Sequence, residues 1–297
     1  MTKPTIDVLF PYYGNIGMMK KSVASVLAQT YMDWTLRVFD DGYPDPEPAR
    51  FFHELALKDS RIHYEKNEEK LGANGNYRKA LSQAGADFFV MMGADDLMHP
   101  DFLARFMACY EEAGPFEIYQ PMVDIINEYD EVYLPLADRV KRLIMPKTQG
   151  LYEGEDIAKS YISGWHYFPS VIWQTKLAQM VGFNTQYGVV QDVNLGLDMI
   201  QRGARFYFDR DHISFSYRRH SQSDSSTKSV EGTRFDEEKQ LYDSKQREFR
   251  ELGWRAAARA AKHHSYSRIH AVTILPKTFK AQKGSTGRLL RHVFNLN

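Results

Sequence analysis

The chain has 297 residues, 43% of them apolar, and its 38 basic and 38 acidic side chains cancel to a formal charge of zero. That length allows one large domain, or one domain with an elaboration, and a full core. Neutrality does not mark a nucleic-acid binder, the single cysteine excludes a disulfide framework or a cysteine-rich zinc site, and no stretch approaches the roughly 20 apolar residues of a membrane helix.

From the N-terminus, MTKPTIDVLF carries no signal-peptide pattern, so a cytoplasmic protein is expected. Ile6–Phe10 is an apolar run ending at Pro11 and predicts a strand. Met18–Gln29 places Met19, Val23, Val26 and Leu27 at helical spacing. Thr35–Asp40 predicts a strand, Pro48–Lys58 a helix opened by proline, and Arg61–Glu65 a short strand. Gly75–Ala84 predicts a helix closed by Gly85, Asp87–Met92 a fourth strand, and His99–Gly114 a further helix. This alternation predicts a mostly parallel sheet with helices on both faces, in which ligands bind beyond the carboxyl ends of the strands. Asp40-Asp41 and Asp95-Asp96 would then share one sheet edge.

After Phe116 the alternation loosens. Phe116–Asn127 and Glu131–Leu136 predict two strands joined by a turn, and Gly164–Trp173 an aromatic-rich strand or loop. Gln191–Gly203 predicts a helix, followed by strands at Ala204–Phe208 and His212–His220. Arg234–Glu251 predicts a long amphipathic helix running on through Arg255–His264. The expected division is a domain over 1–225, split near 115 into a nucleotide-binding and an acceptor-binding half, and a helical basic extension over 226–297.

Several groups carry chemistry. Asp95 and Asp96 suit an oxygen-seeking Mg²⁺ or Mn²⁺ completed by substrate phosphate, or else cap the helix that follows. Asp41 would accept the imide N–H of a uracil or thymine ring with Tyr12 or Tyr13 packed on it; alternatively Asp-Asp-Gly is only a turn. Asp192 is a helix N-cap or a general base, and Asp198, about 600° further round, lies on another face. Arg218, Arg219 and His220 offer phosphate contacts, and His220 a metal ligand, against the plainer reading of a surface histidine.

In their order, these segments resemble the family 2 glycosyltransferases. The carrying stretches are VLFPYYGNIGMMKKSVASVLAQTYMDWTLRVFDDGYPD, LGANGNYRKALSQAGADFFVMMGADDLMHPDFL and FPSVIWQTKLAQMVGFNTQYGVVQDVNLGLDMIQRGARFYF. The resemblance implies a GT-A fold, with a mostly parallel central sheet flanked by helices, and sugar transfer from a UDP- or dTDP-sugar with inversion. By the same resemblance Pro11, Tyr12, Tyr13, Asp41, Gly72, Asn76, Arg78 and Asp95 would bind the donor, and Asp96, Asp95 and His220 a Mn²⁺ or Mg²⁺. Asp192 would be the base, with Trp165, His166 and Tyr167 along the acceptor, a glycan or lipid-linked glycan of a bacterial surface. Two departures stand out: Gly93 occupies a position where many members have an acid, and Gln191 replaces a common Glu.

After Glu251 there is no acid, while nine Lys or Arg follow among apolar residues such as Ile274, Leu275, Phe279, Leu289, Leu290, Val293 and Phe294. Such a tail suits an anionic inner membrane leaflet, a homodimer interface, RNA contact or a solvated face. The competing functions are a metal-dependent nucleotidyltransferase, disfavoured by the glycine-poor PYYGNIGMMKK, and a nucleotide-sugar-binding subunit without turnover. No G-x-G-x-x-G follows the first strand, which disfavours an NAD oxidoreductase.

Overall fold

Strand β1 (Ile6–Tyr12) is buried along almost its whole length, as a near-continuous apolar run requires of a strand covered on both faces. The structure is a computed structural model and describes residues 3–219, 233–281 and 285–294. Strand β1 pairs in parallel with β2 (Trp34–Asp40) and β4 (Phe88–Met91), and β2 with β3 (Ile62–Lys66). The crossovers are α1 (Ile16–Leu27), α2 (Glu47–Ala56) and α3 (Gly72–Ser82). Their common direction brings the carboxyl ends to one edge, where Tyr12 lies opposite Asp40.

Beyond β4 the sheet becomes mixed. It continues through β8 (Ile172–Gln174), β6 (Ile118–Ile126), β9 (Phe206–Arg218) and β5 (Leu97–Met98), with β7 (Gly150–Tyr152) also on β9. Strand β8 runs antiparallel to both its neighbours, whereas the long β6–β9 ladder is parallel. The two strands expected after residue 203 are therefore one. The β6–β9 register slips as Pro121 faces Asp209, Met122 faces Ile213 and Val123 faces Phe215. Proline has no N–H to give a ladder, and a bulge is where a sheet accommodates it.

The expected strand at Glu131–Leu136 does not form. Only Val132 bridges back to Ile126. Pro135 cannot donate to a ladder and instead occupies the N-cap of α5 (Leu136–Ile144). Helices α4 (Phe102–Ala113) and α8 (Gln191–Gln201) lie where the sequence places them, while α6 (Gly154–Tyr161) and α7 (Thr175–Val181) were not foreseen.

The expected long C-terminal helix is broken. Helix α9 (Thr233–Glu251) ends before Gly253, whose φ of +78° suits glycine, and α10 (Arg255–His263), α11 (Ser265–Ala281) and α12 (Ser285–Phe294) follow. These helices dock by capping each other's neighbours. Glu155 of α6 accepts the N–H groups of Ala256 and Ala257 at 2.5 and 3.1 Å. Glu237 of α9 accepts those of Gly188 and Val189 at 2.8 and 2.7 Å, just before α8. Leu241, Tyr242, Phe249 and Ala257 join the main core, and Leu289 is buried with Phe235 and Ala271 rather than free for an interface. Leu290 and Phe294 are exposed, and the side chains of Ile274, Leu275 and Phe279 lie outside the described residues. Among the described residues no helix is long and apolar enough to cross a membrane.

A buried ion pair ties α4 to β9. Asp209 has no exposed surface and accepts from Arg105 at 2.7 and 2.9 Å and from the Tyr119 hydroxyl at 2.9 Å. Arg105→Met leaves that carboxylate without its charge partner, and urea unfolding should show a loss of about 3–5 kcal/mol.

Candidate active site

The acidic turn between β4 and β5 is held from two sides. On one side, a polar stripe of α1 takes up its backbone. The Ser22 hydroxyl donates to the Gly93 carbonyl at 3.0 Å, and Ser25 Oγ accepts the Met98 N–H at 3.1 Å. Gln29, just past the helix, donates to the His99 carbonyl at 2.7 Å and accepts the Leu103 N–H at 3.0 Å. These positions follow at i, i+3 and i+7, one helical face. From the other side, the Arg218 N–H donates to Asp96 Oδ1 at 2.7 Å. Its guanidinium donates to the carbonyls of Asp95 and Asn127 at 2.6 and 2.5 Å and pairs with Asp130 at 2.5 Å. Arg218 is thus a buried clamp on the turn.

Neither acid caps α4, whose N-cap is Asp101. Asp95 is half-buried and Asp96 almost fully buried. Burial first, then the Asp95 charge, pushes the Asp96 carboxyl well above the usual range, with the Arg218 N–H and charge pulling the other way. Gly93 has a physical reason here. A Cβ at this position would lie 2.3 Å from Asp96 Oδ2 and 3.1 Å from Asp95 Oδ1. The carboxylates use the space a side chain would fill. A paired-carboxylate donor set fits a hard divalent cation whose remaining ligands come from phosphate and water. Among the described residues no group of three His, Cys, Asp or Glu side chains forms a metal cluster, and His220 lies outside them.

At the neighbouring strand end the two acids divide the work. Asp40 makes the turn, accepting the Tyr43 N–H and the Tyr64 hydroxyl, both at 2.7 Å. Asp41 instead accepts the N–H groups of Leu71 and Gly72 at 2.7 and 2.8 Å and the Asn67 amide at 2.9 Å. Gly72 adopts φ +71°, a conformation glycine reaches without strain. Asn76 is buried and spent on the chain, donating to the Phe39 carbonyl at 2.7 Å and accepting from Asn67 at 3.1 Å. Tyr12 is buried, its hydroxyl donating to the Gly14 carbonyl, and Pro11 is half-buried. Tyr13 is 48% exposed with the Lys70 ammonium 3.6 Å from its ring centroid, and Arg78 is exposed. Tyr13 thus exposes an aromatic ring at this strand end, with Lys70 over it.

Asp192 lies in the first turn of α8, whose N-cap is Val190. Its Oδ2 is 3.1 Å from His166 Nε2, which is positioned to donate to it. Burial raises the Asp192 carboxyl, but the hydrogen bond and charge of His166, the Val193 N–H and the Arg234 charge outweigh it, and it falls below the usual range. A short chain of packing sets this geometry. Gly196 lies one turn after Asp192, and a Cβ there would come within 2.4 Å of the Tyr161 hydroxyl. The Tyr161 ring stacks on His166, centroids 4.5 Å apart at 10°. Trp165, expected beside the acceptor, has no exposed surface and fills the core against Tyr161, Phe206 and Phe208. Tyr167 is also buried, its hydroxyl donating to Asp138 at 2.8 Å.

The two halves meet through Gln191. Its amide donates to Asn74 Oδ1 at 2.7 Å, which binds the start of α8 to the start of α3. A Glu at 191 has no hydrogen to donate there when ionised. Tyr217 links the remaining gap. Burial first raises its phenol to about 12, and the carboxylates of Asp96, Asp95 and Asp138 also push it up. Its ring lies 5.2 Å from that of Tyr167. Ser22, Ser25, Gln29, Tyr161 and Gly196 were missed in the sequence. The legible signals were hydroxyls at helical spacing on α1 and a glycine one turn beyond Asp192.

A family profile described as Glycosyl transferase family 2 matches residues 7–166. Among curated proteins, the chain is 35% identical over 92 residues to "UDP-Glc:alpha-D-GlcNAc-diphosphoundecaprenol beta-1,3-glucosyltransferase WfgD" of Escherichia coli, covering 31% of this chain and 35% of that protein. It is 29% identical over 105 residues to "GalNAc(5)-diNAcBac-PP-undecaprenol beta-1,3-glucosyltransferase" of Campylobacter jejuni, covering 35% of this chain and 34% of that one. These matches span about a third of each relative's length. Among solved structures, S. aureus TarS 1-349 in complex with UDP-GlcNAc superposes with a TM-score of 0.62 at 15% identity, over 98% of this chain and 72% of that one. The mannosyltransferase PcManGT from Pyrobaculum calidifontis, in complex with GDP-Man and Mn²⁺, gives 0.62 at 15% identity, over 99% and 81%. At such identities the likeness carries the fold, which is of the GT-A type.

Gly196→Ala drives a methyl group into the buried Tyr161 ring. Urea unfolding should register a loss of about 1–3 kcal/mol from overpacking.

Proposed function

The chain belongs to glycosyl transferase family 2, and from that premise we propose that it moves a sugar from a UDP- or dTDP-sugar to a hydroxyl of a glycan or lipid-linked acceptor, with inversion. The observation that carries this is the Gln191–Asn74 contact at 2.7 Å. It ties the start of α8, which carries Asp192, to the start of α3, whose Gly72 N–H Asp41 accepts, and so supports a shared cleft for Asp192 and Asp41, with Asp95 and Asp96 at the carboxyl end of the neighbouring strand β4. The relatives' names, both containing an undecaprenol diphosphate, support a lipid-linked acceptor in surface polysaccharide synthesis.

Asp192 is the base. With Oδ2 occupied by His166, Oδ1 takes the proton of the acceptor hydroxyl as that oxygen attacks the anomeric carbon and the nucleoside diphosphate departs from the opposite face. A single displacement inverts the configuration. Asp41 and the N–H groups it orders shape the base pocket, with Tyr13 as its aromatic wall. Asp96 and Asp95 would hold a Mn²⁺ or Mg²⁺, which when bound supplies positive charge toward the leaving diphosphate. The basic extension, with Leu290 and Phe294 exposed, supports peripheral contact with the inner face of a membrane. The division at residue 225 is proposed as one of role only, since the extension shares the core of the domain before it.

Asp192→Asn should keep donor affinity and lose about 10²–10⁴ in kcat; transfer near the wild-type rate rejects the base assignment. The His166 contact lowers the Asp192 carboxyl and burial raises it, so the wild-type base stays ionised below the usual carboxylate range. His166→Ala leaves burial largely in place and removes the opposing contact, so the acid limb of the pH–kcat profile should move to higher pH; an unmoved limb removes His166 from this role. Chelation by EDTA should abolish transfer, and Mn²⁺ should raise the melting temperature of the UDP-bound wild type but not of Asp96→Asn. Full activity in excess chelator overturns the metal role.

A further inference from the structure

A cationic wall faces the proposed base, and that mechanism leaves it unused. Lys141 lies on α5, a helix the sequence did not announce. Its ammonium donates to the His166 carbonyl at 3.1 Å and sits 4.3 Å from the Tyr167 ring centroid. The ring of the same His166 holds Asp192 at 3.1 Å. Lys141 is therefore one residue's breadth from the carboxylate assigned to take the acceptor's proton, and part of its surface remains open.

The neighbouring carboxylates are already committed. Asp138, one turn earlier on α5, is held by Arg219 of the strand end at 2.7 and 2.8 Å and by Tyr167 at 2.8 Å. Glu238 of α9 accepts from Arg234 at 2.7 Å, and Asp192 of α8 is engaged by His166. Among the described residues no carboxylate lies within ion-pair distance of Lys141. Its surroundings disfavour the bare ammonium. Burial first, then Arg219, lowers it to about 7, with Arg234 acting the same way and Asp138 and Asp192 opposing. His270 of α11 faces the same group and is lowered to about 4, by burial first and then by Arg234, with Lys141 and Arg219 adding.

We propose that Lys141, flanked by Arg219 and Arg234, binds a phosphate carried by the acceptor, anchoring the acceptor so that its hydroxyl meets Asp192. Phosphate brings the negative charge and acceptor oxygens that a lysine without a carboxylate partner lacks. Arg219 acts electrostatically on Asp96 as well, whereas Lys141 itself bonds His166, the residue that holds Asp192; that contact assigns the site to the acceptor rather than the donor. Two sources share this chemistry: a lipid diphosphate and a phosphodiester polymer. On the same helix, Val140 and Ile144 line a cavity of about 450 Å³ whose wall mixes Ala260, Tyr266 and Ile269 with the polar Arg259 and His263, room for the part of the acceptor beyond its phosphate.

The placement toward the acceptor rests on Asp192 as the base; the phosphate site does not, so the two fail separately. The test is calorimetric titration of the full chain in EDTA, with saturating UDP on the donor side, using inorganic pyrophosphate, farnesyl diphosphate and glycerophosphoglycerol as probes. Wild type should bind at least one probe, Lys141→Met should weaken it about ten- to hundredfold, and Lys141→Arg should retain it. Preference for farnesyl diphosphate identifies the lipid source, and preference for glycerophosphoglycerol the polymer. A second measurement needs no variant: the bound probe should slow acetylation of Lys141, read by peptide mass spectrometry, and leave the exposed Lys159 unchanged. No binding by any probe, equal binding by Lys141→Met, or unprotected acetylation of Lys141 overturns the site. If Asp192→Asn transfers sugar normally while the probe still protects Lys141, the base assignment falls and the phosphate site stands.

Discussion

Two adjacent carboxylates repel, and the turn bearing Asp95 and Asp96 persists because almost everything around it holds its backbone. Ser22, Ser25 and Gln29 take up one side, and Arg218 bonds the other. Gly93 leaves the space into which the Asp96 carboxylate folds. The remaining tension is electrostatic: burial and the Asp95 charge raise the Asp96 carboxyl, so the turn stores an affinity for positive charge. A site built this way is rigid before any ligand arrives, which lets weak individual contacts act together.

The same economy governs the opposite wall. Asp192 is oriented by His166, His166 by the Tyr161 ring, and Tyr161 by the missing side chain at Gly196. No link in that series is strong alone. Close packing makes it specific, because a fully buried ring has nowhere to turn. The C-terminal helices belong to the same construction. Glu237 holds the segment before α8 through two N–H groups, and Arg234 adds its charge near Asp192. Helix α9 of the extension thus helps to hold Asp192 in place.

The first half of the fold was legible because parallel β-α units announce themselves locally, with apolar strands, amphipathic helices and turn residues in strict alternation. The second half was not, for a different reason at each place. Pro135 turned an apparent strand into a helix start, and Gly253 divided an apparently continuous helix. Strand β9 read as two segments because the charged Asp209-Arg210-Asp211 separates its apolar runs, and only pairing with β6 carries the strand through them, with a register slip at Pro121–Val123. Among site residues, Asp41, Asp96 and Asp192 were marked by their positions at element ends. Trp165 was misplaced because an aromatic suited to a sugar ring is equally suited to a core, and it lies wholly in the core.

What the chain by itself determined was the alternation of β1–β4 with α1–α4 in residues 6–113 (though not the short β5), the shared edge for Asp41 and Asp96, and membership of a family, since these depend on periodicity and short motifs. Only the tertiary structure decided that Gln191 reaches Asn74, that the buried His166 holds Asp192 while Trp165 packs in the core, and that Lys141 bonds His166 with no carboxylate among the described residues within ion-pair distance. Such contacts join residues far apart in sequence. Their side-chain directions are set by how α3, α5 and α8 pack, and no local pattern encodes that.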